Sequence, residues 1–261
     1  MSSGLDPVVY VRNNTGLEPD PWQAKLLRSK ARRKVVCCAR QVGKSTITGS
    51  LLSYTAESYP GSTSVLIAPA LRQSLLLFEK VHGPLDRSGV TDEKHTESER
   101  KLANGSKVVA LPGSNPRTVL GFGGVDLLVI DEAANTLRRT IEAVLPFVLI
   151  SKGQVILLST PEAKQGAFYE AWKDPAYEKY HVTAYDCPRI AKEDIDQARG
   201  EHHTDATASA SFKRFYLAQF TDLQDALVTE ADIDAMWDDP PAPLMDEDDD
   251  ILDSGVEPMR M

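Results

Sequence analysis

Along the chain, short runs that are apolar on both alternations recur between longer amphipathic stretches. Such runs occupy 35–39, 64–68, 107–111, 126–130 and 154–159. A strand apolar on both faces is one covered by helices on both sides, so the pattern predicts an α/β protein with a largely parallel sheet. Between the runs, 44–58, 70–82 and 134–149 carry helical spacing. Asn104-Gly105 lies between two extended segments and predicts a type I′ hairpin, adding an antiparallel pair to the sheet. After 161 the texture changes. A last strand is expected within 181–188, then short helices at 191–199, 206–220 and 230–237. Aromatics at 212, 215, 216 and 220 fall near helical spacing and predict one packing face.

Composition modifies this picture in two places. The chain has 261 residues and a net charge of −9. From Asp238 to Met261 nine acids and one arginine give −8, leaving −1 for the remainder. The body is therefore nearly neutral, and 238–261 reads as a disordered acidic tail. The opposite run, "RSKARRK" at 28–34, is either a solvated helix end or a contact to phosphates of nucleotide or DNA. No apolar run suits a membrane span and no signal pattern opens the chain. Cys37, Cys38 and Cys187 lack metal-ligand spacing and are expected as small buried residues in a reducing compartment.

Candidate chemistry begins at "CCARQVGKST", 37–46. An apolar run, then Arg40, Gln41, Val42 and Gly43, then a helical pattern from Lys44 is the strand–loop–helix order of a phosphate-binding loop. In that frame Lys44 reaches the β/γ-phosphates and Ser45, followed by Thr46, holds Mg²⁺. Cys38 stands where the usual opening glycine would be. "VDLLVIDEAA" at 125–134 is an apolar strand ending in two acids. Asp131 would hold Mg²⁺ through water, and Glu132 would polarise the attacking water. "QVILLSTP" ends another apolar run in Ser159 and Thr160, either γ-phosphate sensors or an ordinary strand-ending turn. In "PDPWQAKLL", 19–27, the amide of Gln23 can pair with the N6/N7 edge of adenine, and no guanine signature occurs, so ATP is the expected nucleotide.

Together, Pro-Asp-Pro-Trp-Gln, the C-x-R-Q-x-G-K-S loop, "LLVIDEAA" and "LLSTP" resemble the ATPase domain of phage terminase large subunits, over about 17–237. The resemblance implies a P-loop NTPase fold of the additional-strand, RecA-like type, with a mainly parallel sheet and a small helical lid. Its division would be a core at 1–175, a lid and linker at 176–237 and the tail. It implies a motor that couples Mg-ATP hydrolysis to movement of double-stranded DNA into a capsid. The implied partners are a portal ring, a small terminase subunit and further copies of the chain in a ring, in the host cytoplasm. Arg40 would stabilise phosphate charge in cis. Two departures stand out. The family continues into a nuclease domain for which the residues after 237 are too few, so nuclease activity is not expected. Where similar proteins carry Arg-Gly before the acid strand, this chain has Leu120-Gly121; Arg117, or else Arg138 or Arg139, is the candidate finger for a neighbouring subunit. The rivals are a helicase-like ATPase and a regulatory nucleotide-binding module.

Overall fold

The computed structural model describes residues 5–119, 121–201 and 206–222, all within one compact unit spanning 1–226. The expected helix at 230–237 and the acidic tail lie outside the described residues.

Two helices open the chain, α1 (Pro7–Thr15) and α2 (Pro21–Arg28). Each has proline in its first turn, where the missing N–H costs nothing. An alternating α/β run follows: β1 (Arg33–Cys38), α3 (Lys44–Ser58), β2 (Thr63–Ala68), α4 (Leu71–Ser88), β3 (Asp92–His95), β4 (Glu99–Leu102) and β5 (Lys107–Pro112). Then come β6 (Leu127–Ile130), α5 (Arg138–Val144), β7 (Gln154–Ser159), α6 (Gly166–Lys173), β8 (Glu178–Val182), α7 (Lys192–Glu201) and α8 (Ala206–Phe215). The eight strands form one sheet in the order β3-β4-β5-β2-β6-β7-β1-β8. It is parallel from β5 to β8 and antiparallel at the β3–β4–β5 end. One apolar cluster covers the face carrying Val36, Cys38, Leu66 and Leu158, under α3 and α4; a second covers Val35, Cys37, Ile67 and Leu157, under α5 and α6. The five predicted apolar strands are the central ones, and the mainly parallel α/β fold is present.

The differences have local causes. The hairpin exists, but Asn104 does not adopt positive φ; Gly105 does (85°), and Leu102 N–H bonds Ser106 O at 2.8 Å. This is a turn centred on Ala103 and Asn104 with a glycine bulge, in place of type I′. The last strand begins at Glu178 and stops at Val182, because Asp186 takes the Thr183 N–H (2.8 Å) and hydroxyl (2.7 Å) and turns the chain. The helix expected at 134–149 is α5 flanked by two 3-10 turns; Pro146 has no N–H with which to continue it. Conversely, α4 runs on through Gly83-Pro84 because Pro84 and Leu85 are buried. The aromatics do not share a face: Phe212 and Tyr216 stack at 4.9 Å over the first cluster, whereas Phe220 packs with Phe168, Tyr169 and Trp172 at the second. The sheet also crosses position 175, since β8 pairs with β1.

The basic run lies at the amino ends of the parallel strands, at the opposite end of β1 from the loop at 40–43. Arg28 pairs with Asp6 at 2.8 Å, Arg33 sits over Tyr177, and Lys34 is fully buried on β1, its ammonium 2.6 Å from Gln154 Oε1. Gly49 lets α3 meet α4: a Cβ there would stand 2.6 Å from Lys80 Cβ.

Candidate nucleotide site

Where β1 ends, residues 40–43 bend through two left-handed positions, Gln41 (φ 60°) and Gly43 (φ 86°), and α3 starts at Lys44. The bend points the unpaired N–H groups and positive end of α3 at the carboxyl edge of the sheet. Parallel pairing of β1 with β7 and of β7 with β6 brings three sequence candidates to that edge. Asp131 directly follows β6. Glu132 is left-handed (φ 49°), a conformation that costs a side-chain-bearing residue of order 1–3 kcal/mol. That turn carries its carboxylate back over the loop: Oε1 pairs with the Lys44 ammonium, and Oε2 accepts from the Ser159 hydroxyl at 3.3 Å. Lys44 Nζ also lies 3.9 Å from Asp131 Oδ1.

The electrostatics follow from burial. Asp131 is 8% exposed, and burial pushes its carboxyl up to about 6, with Lys44 opposing and Glu132 adding. Burial works against the Lys44 charge as well, but the Asp131 and Glu132 carboxylates outweigh it and hold its ammonium above the ordinary range. Asp131 Oδ1 is buried without a hydrogen-bond partner, an acceptor left open beside Lys44 and the first turn of α3, where Ser45 stands. That donor set suits Mg²⁺, which takes one or two protein oxygens and fills its shell with phosphate and water. The thiols are inert: Cys38 is pushed up to about 12 by burial, Cys37 is raised further, and Cys187 is 1% exposed.

The remaining candidates do not gather in one place. Gln23, Gly43 and Thr46 line a cleft of about 150 Å³ beside the loop, and Gln23 Nε2 is 3.4 Å from the Val42 carbonyl. Arg40 lies over the Phe215 ring at 3.7 Å, facing the end of α8 rather than Lys44. Thr160 is buried next to Ser159. Arg117 is exposed on a 3-10 turn, Pro116–Val119, and Arg139 is exposed at the start of α5, where Arg138 pairs with Glu170. No hydrogen bond or ion pair of Arg117 or Arg139 reaches Lys44, Asp131 or Glu132 among the described residues, and Arg138 pairs with Glu142 as well as Glu170.

Sequence reasoning missed two features. Arg189 reaches back to bind Asp20 with both terminal guanidinium nitrogens, at 2.8 and 2.9 Å, and the Val42 carbonyl at 3.2 Å. A strap after α8 crosses the carboxyl ends of β1 and β8: Arg40 N–H bonds Phe215 O (2.9 Å), Ala184 N–H bonds Tyr216 O (2.7 Å), and Cys37 Sγ meets Ala218 O (3.2 Å). It ends on Thr221, whose N–H bonds Glu162 O at 3.2 Å, just past β7.

No protein-family profile matches the chain. The large terminase subunit of Thermus phage G20c is 25% identical over 210 residues, covering 66% of this chain and 43% of that protein, so the chain spans less than half of this relative. Among solved structures, the ATPase domain of the Thermus phage P74-26 large terminase superposes with a TM-score of 0.73, at 21% identity, over 83% of this chain and 100% of that one. The large terminase of the thermophilic bacteriophage D6E in complex with ATP-gamma-S gives 0.63, at 11% identity, over 77% of this chain and 53% of that one. The chain is thus related in sequence to phage terminase large subunits and has the fold of their ATPase domain.

Proposed function

We propose that the chain is the ATP-hydrolysing motor domain of a viral DNA-packaging terminase, coupling hydrolysis to movement of double-stranded DNA into a capsid. The observation that carries this reading is the loop lysine held between two carboxylates at the mouth of a phosphate loop. Lys44 and Glu132 now neutralise each other. An incoming γ-phosphate competes for the ammonium, and its arrival frees Glu132 Oε1 to polarise water while Ser159 keeps Oε2 in place. Asp131 and Ser45 would hold Mg²⁺, which when bound neutralises charge on the β- and γ-phosphates. Gln23 reads the base, the loop from Gln41 to Thr46 cradles the phosphates, and Thr160 beside Ser159 relays γ-phosphate loss. Arg40 leaves Phe215 for the phosphates in cis. Arg117 serves a neighbouring subunit's site in trans.

The same reading makes the sheet through β8 the motor core, places the lid after Val182, and leaves 238–261 as a tail. It also takes double-stranded DNA, a portal ring, a small terminase subunit and further copies of the chain as partners in the host cytoplasm. No described helix is long and apolar enough to cross a membrane. The test is ATP turnover per subunit across a range of protein concentrations, with and without linear double-stranded DNA, using Glu132→Gln as the blank. A rate that climbs with concentration and DNA is expected. A rate no higher than the blank under every condition would overturn the proposal.

A further inference from the structure

Four residues close a hydrogen-bonded cycle beside the phosphate loop. The Asp20 N–H donates to Gln23 Oε1 at 2.9 Å, and Gln23 Nε2 donates to the Val42 carbonyl at 3.4 Å. The same carbonyl accepts from Arg189 at 3.2 Å, and Arg189 returns to Asp20 with a two-pronged ion pair at 2.8 and 2.9 Å. Asp20 is 5% exposed and Gln23 6%. Gly43 closes against the cycle: a Cβ there would come 2.9 Å from Gln23 Nε2 and 3.2 Å from Arg189. Gln23 and Arg189 both line the cleft of about 150 Å³ next to the loop.

The cycle decides which end of the Gln23 amide is oxygen. A backbone N–H can only donate and a carbonyl can only accept, so Oε1 faces Asp20 and Nε2 faces Val42. Each amide atom keeps one free position, a lone pair on Oε1 and an N–H on Nε2. That pair matches the N6 donor and N7 acceptor of adenine and opposes guanine, whose O6 would meet Oε1.

We propose that Arg189 is the positioning residue for base choice: by neutralising Asp20 and sharing the Val42 carbonyl, it locks the Gln23 amide in its adenine-reading orientation. This rests on the ATPase reading. Without Arg189, Asp20 is a buried carboxylate with no counter-charge, a costly state that draws donors toward it. The Gln23 amide group is a donor already in the cycle. Once it turns toward Asp20, the locked orientation is lost and discrimination against guanine falls.

The experiment measures kcat and KM for ATP and for GTP with the whole chain, in wild type, Arg189→Ala, Arg189→Lys and Asp20→Asn. Equilibrium binding of both nucleotides to the same variants in a Glu132→Gln background gives a readout independent of turnover. In Arg189→Ala the effect is expected on KM and on selectivity more than on kcat, with the ATP:GTP preference falling by about tenfold, the worth of one charge-assisted hydrogen bond. Lysine does not restore the preference, because one ammonium cannot span both carboxylate oxygens and the carbonyl. A purely structural role would instead raise KM for both nucleotides alike. Should Arg189→Ala fail to fold by thermal melt, Arg189→Gln removes the counter-charge with less loss of volume and is expected to lose the preference too, whereas Asp20→Asn, which leaves no unpaired carboxylate, is expected to keep it. A chain that binds ATP and keeps its preference in the folded Arg189→Ala or Arg189→Gln variant overturns this inference alone, as does an Asp20→Asn variant that loses the preference. A wild type that binds neither nucleotide overturns the ATPase reading, and this inference with it.

Discussion

Lys34 is the least expected residue in the core, and replacing it by methionine is expected to make the protein more stable. Its side chain is 0% exposed near the amino end of β1, and its ammonium has one neutral hydrogen-bond partner among the described residues, Gln154. Burial pulls its pKa from the ordinary 10.5 to about 8, with Glu178 opposing. That drop corresponds to about 3 kcal/mol spent on keeping the charge buried. Methionine has similar length and no charge, and it forfeits a hydrogen bond worth about 1 kcal/mol. The net expectation is a gain of about 2 kcal/mol at pH 7, or roughly 4–8 °C in Tm for a chain of this size. Its pH dependence has a definite sign. Below about pH 8 the lysine is charged in both folded and unfolded states, so the penalty is complete. Between about 8 and 10.5 the folded protein sheds the proton while the unfolded chain still holds it, and wild type catches up. Denaturant melts of both proteins at several pH values from 7 to about 10 check this. A Lys34→Met protein less stable than wild type at pH 7, by a margin that does not change with pH, would refute the reasoning.

Glu132→Gln is expected to bind ATP and not hydrolyse it, while Lys44→Ala weakens nucleotide binding; normal turnover in both would show that the site is misassigned. Arg117→Ala should lower turnover by ~10³–10⁵-fold in the assembled ring, the usual worth of a finger arginine. Its effect is expected to be nil in dilute monomer, and near-wild-type hydrolysis in the ring rules Arg117 out. Gly49→Ala should destabilise the chain by about 1–3 kcal/mol in a thermal melt, because its Cβ would press on Lys80 backbone atoms at 2.9 Å as well as on its Cβ. That loss outweighs the up to about 1 kcal/mol alanine gains in a helix.

The central strands were legible because β1, β2, β6 and β7 are covered on both faces, and continuous apolar runs follow from that burial. β3 was not, because Asp92-Glu93-Lys94-His95 is exposed throughout. It is held from outside by Arg100, whose guanidinium bonds Asp92 and Asp86 at 2.8 and 2.7 Å. The early part of β8 was missed for a related reason: it is an edge strand in which polar and buried residues alternate. At the site, the loop and the acid-bearing strand could be read because each is local, a few residues at one strand end. The pairing of Arg189 with Asp20 spans 169 residues, and the Arg40–Phe215 contact likewise joins distant segments, so neither leaves a mark in any short window. Gln23 illustrates both limits. Its residue type suggested a base reader, but only the fold reveals that its amide is already oriented by two backbone groups, the Asp20 N–H and the Val42 carbonyl.

The strap beyond α8 is fastened to the end of β1. Because Phe215 O is bonded to the Arg40 N–H and Ala218 O meets Cys37, a pull on the chain past Asp222 is transmitted to the residues that open the phosphate loop. The second anchor, Thr221 against Glu162 and Lys164, puts the other end of that load just beyond Ser159 and Thr160. Tension on the strap would thus arrive at the loop after β1 and at the strand end after β7 at once. Whatever the chain is tethered to can act on this site as a weight acts on a balance, and the site can act back on it through the same few bonds.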